Sequence, residues 1–475
     1  MVATLNHILN MGSESLQNSR VGVDVTGHNI SNAQTPGYSR QQVNLETKWP
    51  IQYGMQIFGD GSRIQNIRRS HDKFIEGQLR REVQVQSRTE TLSEGLKKLE
   101  SFFNPDLTST IRDRFTSFTN SIRELSNYPE EPSVRINMIE SGKGLCQSFN
   151  STHANIVQVQ TDANEEIRQN INLVNQKIAE VAKLNGQIRE MGAGNLSDVN
   201  DLEDRRDKLI KEIGNIVDIN VYKDNNDQIT IRGPAECLLV EGNLASRFMM
   251  EDTYTVNHMP NVVVSEFNKE RYFDMTHNIK TGKMGALLQI RDKYAQGLRD
   301  EVNTLAKGFA ESFNEIHVKG YGINDMRDIN GRDFFEGLDG PGEPAQDIEV
   351  SLGIVYNPNA IGAAMSTTSP GDNVVSNKLV KLFYEPLYDD NTTTVTGVYD
   401  KMISKLGIAA LKTKEDATAS QIIYDRLKAQ RESVAGVSLD DEAANLLKYQ
   451  HLFTASSKVI TTADEMYKTV LDLKR

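Results

Sequence analysis

The sequence predicts a mainly α fold with a small β-rich insertion, drawn out into an elongated multi-domain subunit with long coiled-coil helices at both ends. Three observations predict it. Apolar residues recur at alternating spacings of four and three at both chain ends and again in the middle, as in helices that present one packing seam. One stretch, residues 217–281, changes to the alternating period of strands. Aromatics make up only 7% of 475 residues and Trp49 is the sole tryptophan, which suits slender helical packing better than one large globule. A chain of this length also exceeds what a single core supports.

The N-terminal helix is traced by Leu5, Leu9, Gly12, Leu16, Ser19, Val23, Thr26 and Ile30, and the C-terminal one by Leu446, Tyr449, Phe453, Ser456, Ile460, Ala463, Tyr467 and Val470. Small or polar members interrupt both seams, so each helix is marginal by itself, while the small residues permit close approach to a partner. The pattern leaves two arrangements open: a coiled coil of the two ends, or separate docking of each end on a globular body. After the first helix, Asn29 and Asn32 suit a fraying, capped terminus. Thr35-Pro36-Gly37-Tyr38 then reads as a type II turn, Pro36 presetting φ and Gly37 taking the positive φ that follows.

In the middle, Ile167, Ile171, Val174, Ile178, Val181, Asn185 and Ile188 carry the same spacing along a helix that stops near Met191-Gly192-Ala193-Gly194. Asn200 and Glu203 form a capping box for the next helix. Val217, Ile219 and Val221, then Ile229 and Ile231, alternate about the polar Lys223–Asp227 stretch as a hairpin, with Val262-Val263-Val264 a further strand. Helix resumes near Gly285 and runs through Leu305 and Phe309 to Ile316. Gly320 to Pro344 is loop-like, Ile348, Val350 and Leu352 alternate as a short strand, and Leu379–Leu387 and Val398–Val434 return to helix.

Composition and motifs narrow the function. The formal charge of −12 gives a surface that repels phosphate, so no nucleic-acid partner is expected; Arg68-Arg69 and Arg80-Arg81 lack flanking aromatics. No run approaches the roughly 20 apolar residues of a spanning helix, so no membrane insertion is expected. Met1–Arg20 carries no basic start followed by an apolar core. These absences fit a cytoplasmic protein and equally one exported by a machine that uses no cleaved signal. Cys146 and Cys237 read as two unpaired thiols. No His-Glu-x-x-His, P-loop or Gly-x-Ser-x-Gly occurs, and none of the 8 histidines lies three or four residues from another. The expectation is therefore no enzyme, no catalytic or metal site and no cofactor. Asp201, Glu203, Asp204 and Asp207, interleaved with Arg205, Arg206, Lys208 and Lys211, read as i,i+4 ion pairs on a solvated helix face. His317 reads as structural or solvated, or as the source of a loop-orienting hydrogen bond.

The two ends carry a resemblance. Asn29-Ile30-Ser31-Asn32-Ala33-Gln34-Thr35-Pro36-Gly37-Tyr38-Ser39-Arg40 resembles the N-terminal signature of the flagellar rod, hook and hook-associated family. Gly436-Val437-Ser438-Leu439-Asp440-Asp441-Glu442-Ala443-Ala444-Asn445-Leu446-Leu447 is similar to that family's C-terminal signature, with Ala435 and His451 as small departures. In the interior, Asp201 to Leu209, Gly282-Lys283-Met284-Gly285, Asn314-Glu315-Ile316-His317, Gly320-Tyr321-Gly322 and Phe334-Phe335 resemble the hook-associated members, so the match touches most of the chain outside residues 223–281 and 336–400.

The resemblance implies a structural subunit of the hook–filament junction, extracellular and exported unfolded without a cleaved signal. It implies a terminal helical polymerisation domain (1–70 and 436–475), a helical body (71–216 and 282–435, with a loop and β stretch at 318–396) and a β-rich outer insertion (217–281). The ends are expected to be disordered in the free chain and to fold on incorporation into a ring-like layer. There Leu5, Leu9, Leu16, Val23 and Ile30 would be buried against Leu446, Tyr449, Phe453, Ile460, Tyr467 and Val470. Implied partners are hook subunits, the next hook-associated protein, and a dedicated export chaperone on the C-terminal helix. Two other readings stay open: a hook or rod subunit, and a secreted enzyme or adhesin with flagellar-type ends whose activity lies near Glu236, Cys237, His258 and His277.

Overall fold

The computed structural model describes residues 2–53, 56–103, 110–191, 196–224, 228–256, 259–268, 271–323, 325, 331–340, 342–369, 371–386 and 392–472. The stop at Gly192 to Gly194, part of the Lys223–Asp227 turn, His258 and Leu387 lie outside them. The helices are α1 (Val2–Asn32), α2 (Lys73–Ser101), α3 (Ile111–Asn127), α4 (Pro132–Met191), α5 (Leu196–Ile216), α6 (Gly282–Gln289), α7 (Gln296–His317), α8 (Pro344–Asp347), α9 (Leu352–Tyr356), α10 (Val374–Leu382), α11 (Val395–Ala435) and α12 (Leu439–Asp472). Several begin on side-chain caps that satisfy otherwise orphaned N–H groups. Asp72 accepts from the amides of Phe74 and Ile75 at 2.8 and 3.2 Å, Thr394 from that of Gly397 at 3.2 Å, and Ser438 from that of Asp441 at 3.3 Å.

Helix α4 is the long axis of the body: 60 residues, or about 90 Å at the helical rise. Its first half and its second half serve two different cores. The first core gathers Leu92, Leu96 and Leu99 of α2, the apolar face of α3, Met138, Leu145 and Phe149 of α4, and Val302, Leu305 and Phe309 of α7. At its centre a cluster of phenylalanines meets in edge and tilted contacts, including Phe115–Phe309 at 5.0 Å, Phe118–Phe313 at 5.4 Å and Phe334–Phe335 at 4.9 Å between centroids. Aromatic pairs favour such geometry over face-to-face stacking.

The second core uses Ile167, Val174, Ile178 and Val181 of α4 and Ile210 and Ile213 of α5. Against them pack a four-stranded sheet in sequential order, β5 (Asn220–Lys223), β6 (Ile229–Arg232), β7 (Leu238–Glu241) and β8 (Leu244–Ala245), and a three-stranded sheet of β9 (Arg247–Val256), β10 (Met259–Ser265) and β11 (Tyr272–Asp274) with β10 central. These strands contribute Ile231, Leu239, Phe248, Val262 and Val264. The insertion therefore shares its core with the helices on either side of it.

Helix α11 packs lengthwise on α2 and antiparallel to it. Arg431 meets Glu76 at one end at 2.9 Å, and the rings of Tyr399 and Phe103 lie 6.3 Å apart at the other.

Three local expectations are corrected. Helix α5 begins at Leu196, ahead of the Asn200–Glu203 capping box; the Asn200 side chain instead donates to the carbonyl of Ile67 at 3.0 Å. Phe335–Glu336 and Glu349–Val350 pair as two short strands, β12 and β13, but Leu352 opens α9 and does not extend the strand. Helix α10 ends at Leu382, so that Phe383 turns into the aromatic cluster.

His317 ties together the loops after α7. Its Nδ1 donates to the carbonyl of Arg332 at 2.8 Å, and its Nε2 accepts from the amide of Gly362 at 3.0 Å. Only the neutral ring makes both bonds. Burial pushes its pKa from 6.5 down to about 4. Between those values the unfolded chain binds a proton that the folded chain refuses, so stability is fully present above pH 6.5 and is lost as pH falls towards 4. The loss is on the order of 3 kcal/mol. Urea unfolding at pH 7 and pH 4.5 should show the decline, and H317Q should flatten it.

Candidate assembly interface

Helices α1 and α12 lie side by side and antiparallel, bringing the two ends of the chain together. The register is read from four contacts. A Cβ on Gly12 would sit 2.9 Å from Ile460, and one on Gly22 would sit 2.5 Å from the Tyr449 ring. Between them the hydroxyls of Ser15 and Ser456 are 2.8 Å apart, and at the far end Asn29 reaches Glu442 at 3.2 Å. Ser19, Thr26, Ser456 and Ala463 are buried. Small residues thus set the contact line and allow the backbones to approach closely.

Of the sequence-predicted residues, Leu5 is buried, Leu9, Leu16 and Val23 are half-buried, and Ile30 is exposed. On α1 the contact line takes in Gly12, Ser19 and Thr26 of the sequence-predicted seam, and Ser15, Gly22 and Asn29, each one residue before Leu16, Val23 and Ile30. On α12, Leu446, Tyr449, Ile460, Tyr467 and Val470 are half-buried while Phe453 is exposed.

The N-terminal signature forms the joint between this pair and the body. Tyr38 N–H bonds the Thr35 carbonyl at 3.2 Å and Gly37 has φ +91°, as the type II turn requires. Asn29 uses its whole side chain: Oδ1 accepts from the Tyr38 hydroxyl (2.8 Å) and the Gln41 amide (2.9 Å), and Nδ2 donates to the Gln41 carbonyl (2.9 Å) and to Glu442. Asn32 accepts from Thr35 at 3.1 Å. Glu442, only 2% exposed, is neutralised by Arg40 at 2.7 Å. Arg431 donates to the carbonyl of Gly37 at 3.2 Å while gripping Glu76. Burial works against the charge of Glu76, but Lys211 and Arg431 outweigh it and hold the carboxyl below its usual range. Burial and the carboxylates of Asp201, Asp204 and Glu442 push the Tyr38 phenol upward.

The acidic set on α5 is corrected from a solvated face to part of this joint. Arg69 binds Glu203, Asp204 and Asp207 at 2.7, 2.6 and 3.1 Å. Asp204 also accepts from the Ser39 amide at 2.9 Å, and Asp201 accepts from Gln41 at 2.8 Å. Asp204 is buried, and that burial lifts its carboxyl above the usual range even with Arg69 beside it.

Residues 1–70, expected to be helical, also contain strands. β1 (Gln41–Thr47) and β4 (Ser62–Arg69) form an antiparallel ribbon with a bulge at Asn44/Leu45, continued by the hairpin β2 (Ile51–Tyr53) and β3 (Gln56–Phe58). The ribbon lies on another face of α1, through Asn18 to the Ser62 carbonyl at 2.7 Å and His7 to the Gly59 carbonyl at 3.2 Å.

A cleft of ≈ 1060 Å³ opens between the turn, α2, α5 and α11, lined by cations and carboxylates such as Lys208, Lys428, Asp207 and Glu432. Among the described residues no group of three or more His, Cys, Asp or Glu side chains could hold a metal ion. No helix among them is long and apolar enough to cross a membrane. Glu236 pairs with Arg232 at 3.3 Å, and burial pushes the Cys237 thiol up to about 12, the reverse of an activated nucleophile.

A long helical body whose two chain ends close on each other through a polar joint has the build of an elongated structural subunit. Residues 96–335 match the family described as flagellar hook-associated protein FlgK helical domain, and residues 429–473 match flagellar basal body rod FlgEFG protein C-terminal. The chain is 26% identical to flagellar hook-associated protein 1 of Bacillus subtilis, over 98% of this chain and 97% of that one. It is 23% identical to flagellar hook-associated protein 1 of Salmonella typhimurium, over 99% and 100%. The structure of the flagellar hook junction protein FlgK from Burkholderia pseudomallei shares the fold, with a TM-score of 0.67 at 13% identity over 76% of this chain and 100% of that chain. The chain belongs to the flagellar hook-associated protein family. It is a structural component of the hook–filament junction of the bacterial flagellum, outside the cell.

Proposed function

We propose that the chain builds the junction through the α1–α12 pair, which stays loose in the free subunit and folds on incorporation. The observation that carries this reading is the composition of the seam. Gly12, Ser15, Ser19 and Gly22 bury little apolar area of their own. Leu9, Leu16 and Val23 stay half-exposed along one flank, and Leu452, Val459 and Met466 of α12 are 43%, 41% and 52% exposed. A pair built this way is marginal until neighbouring copies cover those rows, so ordering is coupled to binding at a growing end. The proposed neighbours are further copies in a ring-like layer, hook subunits on one side and the next hook-associated protein on the other. An export chaperone would cover α12 before assembly. The role is structural and not enzymatic.

Limited proteolysis of the purified subunit with mass spectrometry tests this. The expected result is removal of residues up to about 40–70 and of the last ~40, with the helical core surviving, since cleavage follows local opening. Equal resistance of the ends and the core would show that the pair is already stable alone and would defeat the coupled-folding reading.

A further inference from the structure

The seam between α1 and α12 repeats every seven residues on both helices. On α1 the contact positions are Gly12, Ser19 and Thr26, and Ser15, Gly22 and Asn29. On α12 Glu442, Tyr449, Ser456 and Ile460 make contact with α1, and the same spacing runs on through Leu446, Phe453 and Tyr467 and through Ala463 and Val470. Sliding α12 by one heptad would set Ser15 against Ala463, Gly22 against Ser456 and Gly12 against Tyr467. Gly12, Ser15 and Gly22 would again meet partners they accommodate, while Tyr449 would leave the gap at Gly22 for the larger Asn29, so packing distinguishes the two registers at that one position. Ambiguity elsewhere is general where a seam is short of distinctive side chains.

The buried polar contacts of Glu442 do not survive the slide either. Glu442 is 2% exposed and its carboxylate is held by Arg40 at 2.7 Å and Asn29 at 3.2 Å. Arg40 is itself fixed through its amide to the Ala435 carbonyl at 2.9 Å, and Asn29 through both faces of its amide to Gln41. In the shifted register Tyr449 would stand opposite Asn29, and Arg40 would lose its carboxylate partner. A buried ionic group adds little net stability but penalises strongly any arrangement that leaves it unpaired, and fixing register is its best-attested use.

We infer that Arg40, Asn29 and Glu442 are the positioning residues that set the register of the terminal helix pair, together with the Tyr449 ring over Gly22, while the rest of the seam supplies close packing that fits either register. This rests on the reading of α1–α12 as the assembly element. It adds that the N-terminal signature recognises the C-terminal one, so neither end can be placed correctly without the other.

The test uses two cysteine pairs in the full chain, whose native Cys146 and Cys237 are buried. Ser15→Cys with Ser456→Cys reports the observed register, and Ser15→Cys with Ala463→Cys reports the shifted one. Each is oxidised mildly, free and after incorporation on isolated hooks, in a Tyr449→Ala background that removes the fit over Gly22, with the polar group intact or replaced by Arg40→Met and Glu442→Leu. With the group intact, the first pair should crosslink at least about tenfold more than the second; with it replaced, the two should come within about threefold while helix content is kept. A merely stabilising role predicts instead that both crosslinks vanish with the replacement, which would overturn the inference. So would retention of the first crosslink alone, or its absence from the intact chain in both states. Incorporation is scored separately by co-sedimentation with hooks, so its failure bears on the assembly reading and not on register.

Discussion

Gly22→Leu should abolish incorporation while leaving the body folded. The ring of Tyr449 already occupies the space where a first side-chain carbon would go, 2.5 Å away, and the helix backbone leaves no room to retreat without breaking Ser15–Ser456 and Asn29–Glu442. Overpacking of this kind costs about 2–3 kcal/mol, a roughly 30- to 150-fold fall in the paired population. Co-sedimentation with hooks reads the loss, and an unchanged thermal midpoint shows that the body is intact. Gly22→Ala should act in the same direction more weakly, and adding Tyr449→Ala should recover part of the loss by reopening the space. Normal incorporation of Gly22→Leu would mean that the assembled helices do not meet along this line.

Phe118→Ala should have the largest effect on the body. Its ring lies within 6.4 Å, centroid to centroid, of those of Phe309, Phe313, Phe334, Phe335 and Phe383, and it is fully buried. Deleting it removes the aromatic contacts that join α3, before the insertion, to rings that all come after it, and the rigid neighbours cannot collapse into the hole. The expected cost is about 3–5 kcal/mol, or roughly 10 °C in Tm by circular dichroism. A drop of under ~2 °C would mean that the cluster repacks, against the usual behaviour of dense cores.

Much of this was legible in the sequence, and where the reading failed the reasons are physical. The helix through Ile167, Val174 and Ile178 follows its periodicity because a helix buried against two other elements must keep one apolar stripe. The Thr35–Tyr38 turn is fixed by the local chemistry of Pro36 and Gly37.

Half of the α1 contact line, Gly12, Ser19 and Thr26, lies on the seam that the spacing shows. The other half lies one residue before the larger Leu16, Val23 and Ile30, because the pair is set by how closely backbones can approach, and Ser15, Gly22 and Asn29 allow that. The β1–β4 ribbon is hidden in the sequence because the extra residue Gln65 on β4, opposite Asn44/Leu45, puts Ile64 and Ile67 out of the alternation that reveals a strand. The acids on α5 looked solvated because their nearest cations in sequence lie on the same helix. Their actual partners, Arg69 and the Ser39 amide, are separated from Asp204 by 135 and 165 residues, and no local pattern carries that information.

Helix α4 has a mechanical consequence. Two cores threaded on one 60-residue shaft cannot swivel about a linker as separately folded domains do. Bending the shaft would break its backbone hydrogen bonds and shear both cores at once. The body of the subunit therefore behaves as a single strut. Compliance is left to the place where the chain is held by side chains instead of a continuous helix: the Pro36–Arg40 turn and its ring of buried charges. In a rotating appendage, load entering at the terminal helices would be felt there first, at the residues the two signatures share.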